Sequence, residues 1–375
     1  MRSDTAEMKA KVSSWLDKGW VSTWEGSHEG SGDFFGLPSN KEKVYVAAKG
    51  GMHTIPANLI QETLNTKPQH FKLYPGVRVE KMDIVKGKWK LMGKSGKAAY
   101  HDTAEKVSQS DSSSCLHEDY PDGYDYVVLT DISSSFDSWH RASAGVPQDF
   151  ASRVRERAGA RVPLFSCMVA FEEALFHDSN ISSMTFDSKS GSSVWFASRT
   201  NSKPGFRESK ESWTIVSTPE YAMRKISETP MQDAKSGAFI PQSPDYLLQV
   251  PGPELCKEFL HLCGVSPDKK ISYLNAQRWG SAMPADRHLA DDENSSTRRV
   301  ISGVVYDSGR TGPLAPTRRE KSHESYVCDD SMGLIHCGDM VSAYSPGFEG
   351  AVLSAIQAAD HIARLINIRV ASNFN

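Results

Sequence analysis

Apolar residues recur at helical spacing near the start of the chain. Met8, Val12, Trp15, Leu16 and Gly19 fall at i, i+4, i+7, i+8 and i+11. This predicts a helix with one buried face that stops at Gly19, a suitable C′ residue. The stretch WVSTWEGSHEGSGDFFGLPSN then sets isolated aromatics among Gly, Ser and Asn, and predicts two short edge segments joined by a loop. KVYVAA reads as a short strand. KGGMHTIPANLIQETL turns through Gly50-Gly51 into a helix with Thr54 as N-cap and Pro56 in the first turn. KLYPGVRVEKMDIVKGKWKLMG is a hairpin turning at Lys86-Gly87.

Residues 102 to 122 are polar and serine-rich, and read as an inserted loop. YDYVVLTD is a continuous apolar run of the kind a parallel strand covered on both faces requires. From about Val162 to Arg319 the pattern changes. VPLFSCMVAFEE, SSVWFASRT, SWTIVSTPE and ISYLNAQRWGSAMP are β-branched and aromatic runs, and GPELCKEFLHLCG is a helix closed by Gly264. Strands outnumber helices there, which predicts an antiparallel sheet inserted into a first, α/β unit. GLIHCGD then reads as a buried strand ending in a Gly-Asp turn. It leads to a last helix whose Val352, Ile356, Ala359 and Ala363, widened by Ala351, Ala355, Ala358 and Ile362, form a small-residue stripe predicted to be buried.

Composition narrows the function classes. The chain has 375 residues, 39% hydrophobic and 24% charged, enough for two domains with a core each. A net charge of −3 supplies no electrostatic drive toward nucleic acid or an anionic membrane. Arg310, Arg318, Arg319 and Lys321 sit among Gly, Pro and Ser and read as a solvated loop. Six cysteines without paired spacing point to a reduced interior and an intracellular, reducing compartment, cytoplasm or plastid. His336-Cys337 with Cys328 and His323 offers metal-ligand types, but adjacent residues in a strand face opposite sides, so no metal is expected. No apolar run reaches the ~20 residues of a membrane span, and no secretory h-region is visible. Gly-x-Ser-x-Gly, Gly-x-x-x-x-Gly-Lys-Ser/Thr and His-Glu-x-x-His are all absent from the sequence.

The candidate chemistry lies near the C-terminus. A strand, a glycine turn and a helix start at Gly347-Phe348-Glu349-Gly350 together make a recipe for meeting a phosphate or a carbonyl oxygen. Asp339, at the carboxyl end of the strand, is either the cap of a turn or a partner for sugar or ribityl hydroxyls.

CGDMVSAYSPGFEGAVLSAIQAADHIARL resembles the C-terminal flavin-contacting motif of FAD-dependent amine-oxidase-like proteins. VSSWLDKGWVSTWEG, YVAAKGGMHTIPANLI, VRVEKMDIVKGKWKL, YDYVVLTD and QRWGSAMP occur in the order of the renalase-like branch of that superfamily. The resemblance implies an α/β fold. A discontinuous FAD-binding, Rossmann-like domain over 1–160 and 321–375 would carry an inserted antiparallel α+β substrate domain over 161–320. It implies FAD contacts at Gly338, Asp339, Gly347, Phe348, Glu349, Gly350 and Ala351, a flavin-side turn at Gly50, Gly51 and Met52, and an adenine-side backbone at Val79. Arg278 and Trp279 would roof the substrate site. Ordinary core packing is the other account of Val79, Met52 and Trp279.

The family's strand followed by Gly-x-Gly-x-x-Gly is not found. Gly30-Ser-Gly32-Asp-Phe-Phe-Gly36 has one residue too many and precedes no predicted helix. The first βαβ unit is therefore expected to be missing. Two outcomes are implied. One is a flavin oxidoreductase that takes hydride from a small molecule, an amine or an NAD(P)H-like dihydronicotinamide, and passes electrons to oxygen. The other is a non-catalytic remnant that no longer holds FAD.

Overall fold

The computed structural model describes residues 1, 3–30, 34, 37, 43–95, 122–136, 143–159, 161–176, 180–186, 191–206, 210–230, 233, 240, 242–284, 298–301, 304–307, 324–344 and 346–372. Residues 102–121, Arg310, Arg318, Arg319, Lys321, His323, Gly32 and Gly36 lie outside these.

The first helix, α1 (Ala6–Asp17), is capped by the Thr5 hydroxyl, which accepts from the Met8 N–H at 3.1 Å. It buries Met8, Val12 and Trp15, while Leu16 turns 37% of its surface to solvent. Gly19 follows at φ +67°. β1 (Val21–Thr23) pairs with β3 (Tyr45–Ala47), and β2 (Ser27–Gly30) lies between them in sequence. α2 spans Thr54–Thr66 with His53 at the N-cap. Thr54 is the first helical residue instead of the cap, because its hydroxyl donates back to the Lys49 and Gly51 carbonyls at 2.9 and 2.8 Å. β4 (Val77–Val85) and β5 (Lys88–Ser95) form the expected hairpin, with Lys86 and Gly87 both at positive φ.

β6 is short (Val127–Leu129), and α3 follows at Gln148–Ala158. The chain then enters the main sheet through β7 (Arg161–Phe171), β8 (Ile181–Thr185), β9 (Val194–Arg199) and β10 (Ser212–Ser217). The helices α4 (Pro219–Glu228), α5 (Pro244–Gln249) and α6 (Pro251–Leu262) precede the long β11 (Ile271–Pro284). β12 (Arg298–Ile301) and β13 (Val304–Asp307) form a small hairpin. β14 (Val327–Asp329), β15 (Leu334–His336) and α7 (Phe348–Ser372) complete the chain.

The six-stranded sheet has the order β11-β7-β10-β9-β8-β2. Every pair is antiparallel except β2 with β8. The predicted strands of this region are therefore present, and a segment from near residue 30 adds an edge strand to them. Gly30 makes that edge possible. At φ +119° its ideal Cβ would lie 1.9 Å from the Thr185 carbonyl oxygen, so any side chain would force β2 off β8. One face of the sheet carries Phe165, Cys167, Val169, Ala197, Trp213, Ile215 and Ala276 into a core with Leu255, Cys256 and Phe259 of α6. That face is closed by apolar burial.

A second layer is the three-stranded sheet β14-β15-β6, where β15 and β6 run parallel. Val127 points into a core with Phe150, Val154 and Leu334. Val128 leaves 44% of its surface exposed, so β6 is covered on one face only, where the apolar run predicted two.

The small-residue stripe of α7 is also corrected. Ala355, Ala359 and Ala363 are exposed, and the buried face is Leu353, Ser354 and Ala358. Polar anchors set the rotation. The Ser354 hydroxyl donates to the Ser325 carbonyl and accepts from the Gly338 N–H at 2.9 Å. Gln357 accepts from the Ser325 N–H at 2.9 Å and donates to the Tyr344 hydroxyl at 2.8 Å. Turning the alanines inward would leave those buried groups unpaired. Among the described residues no helix is long and apolar enough to cross a membrane.

Candidate functional site

A cavity of about 400 Å³ opens where β3, the Gly50-Gly51 turn, β9 and the start of α7 meet. That volume lies within the usual range of small-molecule sites. Alternation along β9 supplies one wall. Ala197 points to the helix-covered core, so Phe196 and Ser198 face the cavity. Phe34 stacks on Phe196 with ring centroids 4.1 Å apart and planes 3° from parallel. Trp24, Val44 and Val46 add a second, buried apolar wall. Gly51 (φ +93°) and Met52 form the lip from one side, and Gly347, Phe348 and Glu349 close the other.

A side-chain ammonium enters this apolar recess. Lys203, after a single 3₁₀ turn at Thr200–Ser202, lies 5.2 Å over the Trp24 ring and donates to the Ser198 hydroxyl at 3.1 Å. Burial pushes its ammonium down from 10.5 to about 8. Trp24 is fixed by its indole N–H on the Ser202 hydroxyl at 2.9 Å, and its ring meets the His28 ring edge-on at 4.8 Å. His28 shares a 2.7 Å hydrogen bond with Ser183, and burial lowers its pKa.

At the other end, Gly347 (φ +93°) gives its carbonyl to the Ala351 N–H at 3.0 Å, so it is the residue from which α7 starts. An ideal Cβ there would meet nothing within 4 Å, so the glycine serves the backbone angle and not a close approach. Asp339 accepts from the Gly347 N–H at 3.2 Å and thereby joins the Gly-Asp turn to the helix start. Gly338, at φ +133°, passes 3.3 Å from the Thr130 carbonyl oxygen when given an ideal Cβ. Gly350 is buried in the first turn. Glu349 is 1% exposed, and both its oxygens are engaged. Oε2 accepts from the Asp4 N–H at 2.9 Å, and Oε1 accepts from the Thr5 N–H and hydroxyl at 2.9 and 2.7 Å. A carboxylate from α7 thus sits at the positive end of α1.

The other sequence candidates lie elsewhere. Val79 pairs with Gly93 in the β4–β5 hairpin and packs against the core around Met82 and Trp89. Arg278 and Trp279, opposite Phe165 and Leu164 on β11, are not among the residues lining this cavity. The Arg278 guanidinium donates to the Ile240 carbonyl at 3.3 Å, and the 53%-exposed Trp279 donates to the Ser166 hydroxyl at 3.0 Å. Trp24, Phe196, Ser198, Lys203 and Phe206 were missed in the sequence. Strand alternation could have chosen Phe196 and Ser198, whereas a lysine before Pro204-Gly205 reads as a solvated turn.

No protein-family model matches the chain, and no curated protein matches it. Solved structures that resemble it include a putative protoporphyrinogen oxidase from Exiguobacterium sp. 255-15, at 11% identity over 88% of this chain and 53% of that one, TM-score 0.41. A reduced UDP-galactopyranose mutase gives 11% identity over 89% and 56%, TM-score 0.44. A putrescine oxidase bound to putrescine gives 9% identity over 86% and 54%, TM-score 0.43. The chain spans little more than half the length of these proteins.

Proposed function

We propose that this chain forms the ring-facing part of an FAD-dependent oxidoreductase of the renalase-like type, acting on an amine or a dihydronicotinamide-type small molecule with oxygen as the final acceptor. One observation supports it above the rest. Gly51-Met52 and Gly347–Glu349, far apart in sequence and drawn from separate stretches of the family resemblance, border a single cavity.

The residues present fit a flat, largely apolar ring with polar edges. Phe196, Trp24, Val44, Val46 and Phe348 supply flat apolar surface, and the first N–H groups of α7 have no partner within the helix. FAD, when bound, would supply hydride acceptance and the return of electrons to oxygen. The chain's own part is positional. Its aromatic walls exclude water, the α7 start offers donors to carbonyl or phosphate oxygens, and Lys203 holds a proton at Nζ that it can release near pH 8. Hydride transfer from a dihydronicotinamide needs no further acid or base.

Titrating the purified chain with FAD tests the reading. Flavin fluorescence is expected to be quenched to an end point of one FAD per chain, with weaker binding in Phe196→Ala. Unchanged fluorescence up to about 1 mM FAD, an affinity worth only about 4 kcal/mol, would favour the non-catalytic reading instead.

A further inference from the structure

We infer that Cys328, Asp330 and His361 form a binding site for a zinc-type divalent cation on the face of the molecule where the β14–β15 hairpin meets α7. One ligand atom from each residue lies within 4.8 Å of the other two. The two elements deliver them from independent directions. Cys328 is the middle residue of β14, paired with Ile335, and packs toward Ala358 and Ile362 of α7. His361 stands one turn beyond Ala358 on the same helix face, and its Nε2 already meets Asp330 Oδ1 at 2.8 Å.

The ligands are held by groups that are not ligands. Asp329 pins the hairpin turn, accepting from the Ser331 hydroxyl at 2.6 Å, the Met332 N–H at 3.3 Å and the Arg153 guanidinium at 2.7 Å. Arg153 also donates to the Cys328 carbonyl at 2.9 Å. The Tyr326 ring lies 5.2 Å from the His361 ring and limits its swing. The imidazole itself is only 14% exposed.

Chemistry selects the ion. A thiolate, an imidazole and a carboxylate together suit zinc and not calcium or magnesium, which take oxygen. Tetrahedral zinc with bonds of about 2.0–2.3 Å keeps its ligand atoms about 3.3–3.7 Å apart. The cluster therefore needs shifts on the order of 1 Å or less. Three protein ligands leave the fourth position to water.

The local charge favours a dication. Asp330 and Glu324 bring negative charge to Cys328, and Arg153 opposes them. Arg364, one turn beyond His361, is a further cation at this face and acts on Tyr326. A dication would displace the thiol proton, bind the thiolate and neutralise the acids, so one proton is released as the Zn–S bond forms. His361 escaped the sequence reading because it lies 33 positions from Cys328 on another element, with no finger-like spacing.

The test is zinc binding to the purified chain, measured by competition with a chromophoric chelator at pH 7, with calcium and magnesium as comparators. One tight zinc per chain is expected, with affinity falling at least tenfold in Cys328→Ser and in His361→Gln, and less in Asp330→Asn. Cobalt should give a thiolate charge-transfer absorption that Cys328→Ser removes. Zinc should also raise the thermal midpoint of the parent chain and not that of His361→Gln. Equal zinc affinity in the parent chain, Cys328→Ser and His361→Gln would overturn the assignment. So would equal affinity for magnesium. Should Cys328→Ser fail to fold by circular dichroism, the exposed Asp330→Asn and the His361→Gln variants decide alone.

Discussion

Lys203 brings a positive charge into a recess of Trp24, Phe196 and Phe206, where it donates to the Ser198 hydroxyl. Its ordinary value is 10.5 and its folded value about 8. Between these, the unfolded chain holds a proton here that the folded chain has released, so stability rises with pH across that window. The penalty is complete below pH 8 and gone above 10.5. Lys203→Met is therefore expected to raise stability at pH 7 by on the order of 1–3 kcal/mol in denaturant unfolding. That gain should vanish by pH 10.5, and one that persists would place its cause in packing. Any catalytic use of the lysine would be lost in the same variant, as groups kept for function often cost stability. Glu349 behaves oppositely. Its carboxylate satisfies the Asp4 and Thr5 N–H groups at the start of α1. Glu349→Ala should cost about 2–4 kcal/mol, because buried donors are left unpaired. Glu349→Gln should keep part of the loss back, since its amide can still accept one bond.

At the scale of elements, what the sequence disclosed depended on the range of the interactions. The β4–β5 hairpin turns where Lys86-Gly87 permits positive φ, a purely local condition, and the four long strands of the main sheet follow from β-branched and aromatic runs. α7 was readable as a helix but not in rotation, since Ser354 and Gln357 are held by Ser325, which is distant in sequence. The same limit hid Lys203, whose environment is set by Trp24 some 180 positions earlier. Gly30 shows the reverse case, a glycine of the segment that fell short of Gly-x-Gly-x-x-Gly and whose place is explained by strand contact. Gly30→Ala should cost about 2–4 kcal/mol through strain and collision with the Thr185 carbonyl. Hydrogen exchange should then rise in 27–30 and 181–185 while β7 and β11 stay protected. Uniform loosening of the whole sheet would mean that β2 is not a separable edge.

On the scale of the whole molecule, the cavity is a junction of segments and not a feature of one layer. Trp24 and Val44–Met52 arrive from the α1 side, Phe196–Phe206 from the six-stranded sheet, and Pro346–Glu349 from the three-stranded sheet through the Gly-Asp turn. Small shared cores join the walls, since Trp24, Val44 and Val46 pack with Phe196, and Phe348 packs on the core that holds Ala47. A ligand that touches all three walls would bind the folded form alone and stabilise it by mass action, about 2.7 kcal/mol at a hundredfold excess over Kd. FAD is therefore expected to slow hydrogen exchange in 44–52, 196–206 and 346–352 together, with the same concentration dependence in each. Simultaneous protection follows because opening any one wall releases the ligand. Protection confined to 346–352 would reduce the site to the helix start and remove Lys203 and Phe196 from it. Protection absent from all three segments, alongside quenched flavin fluorescence, would move the flavin to another surface altogether.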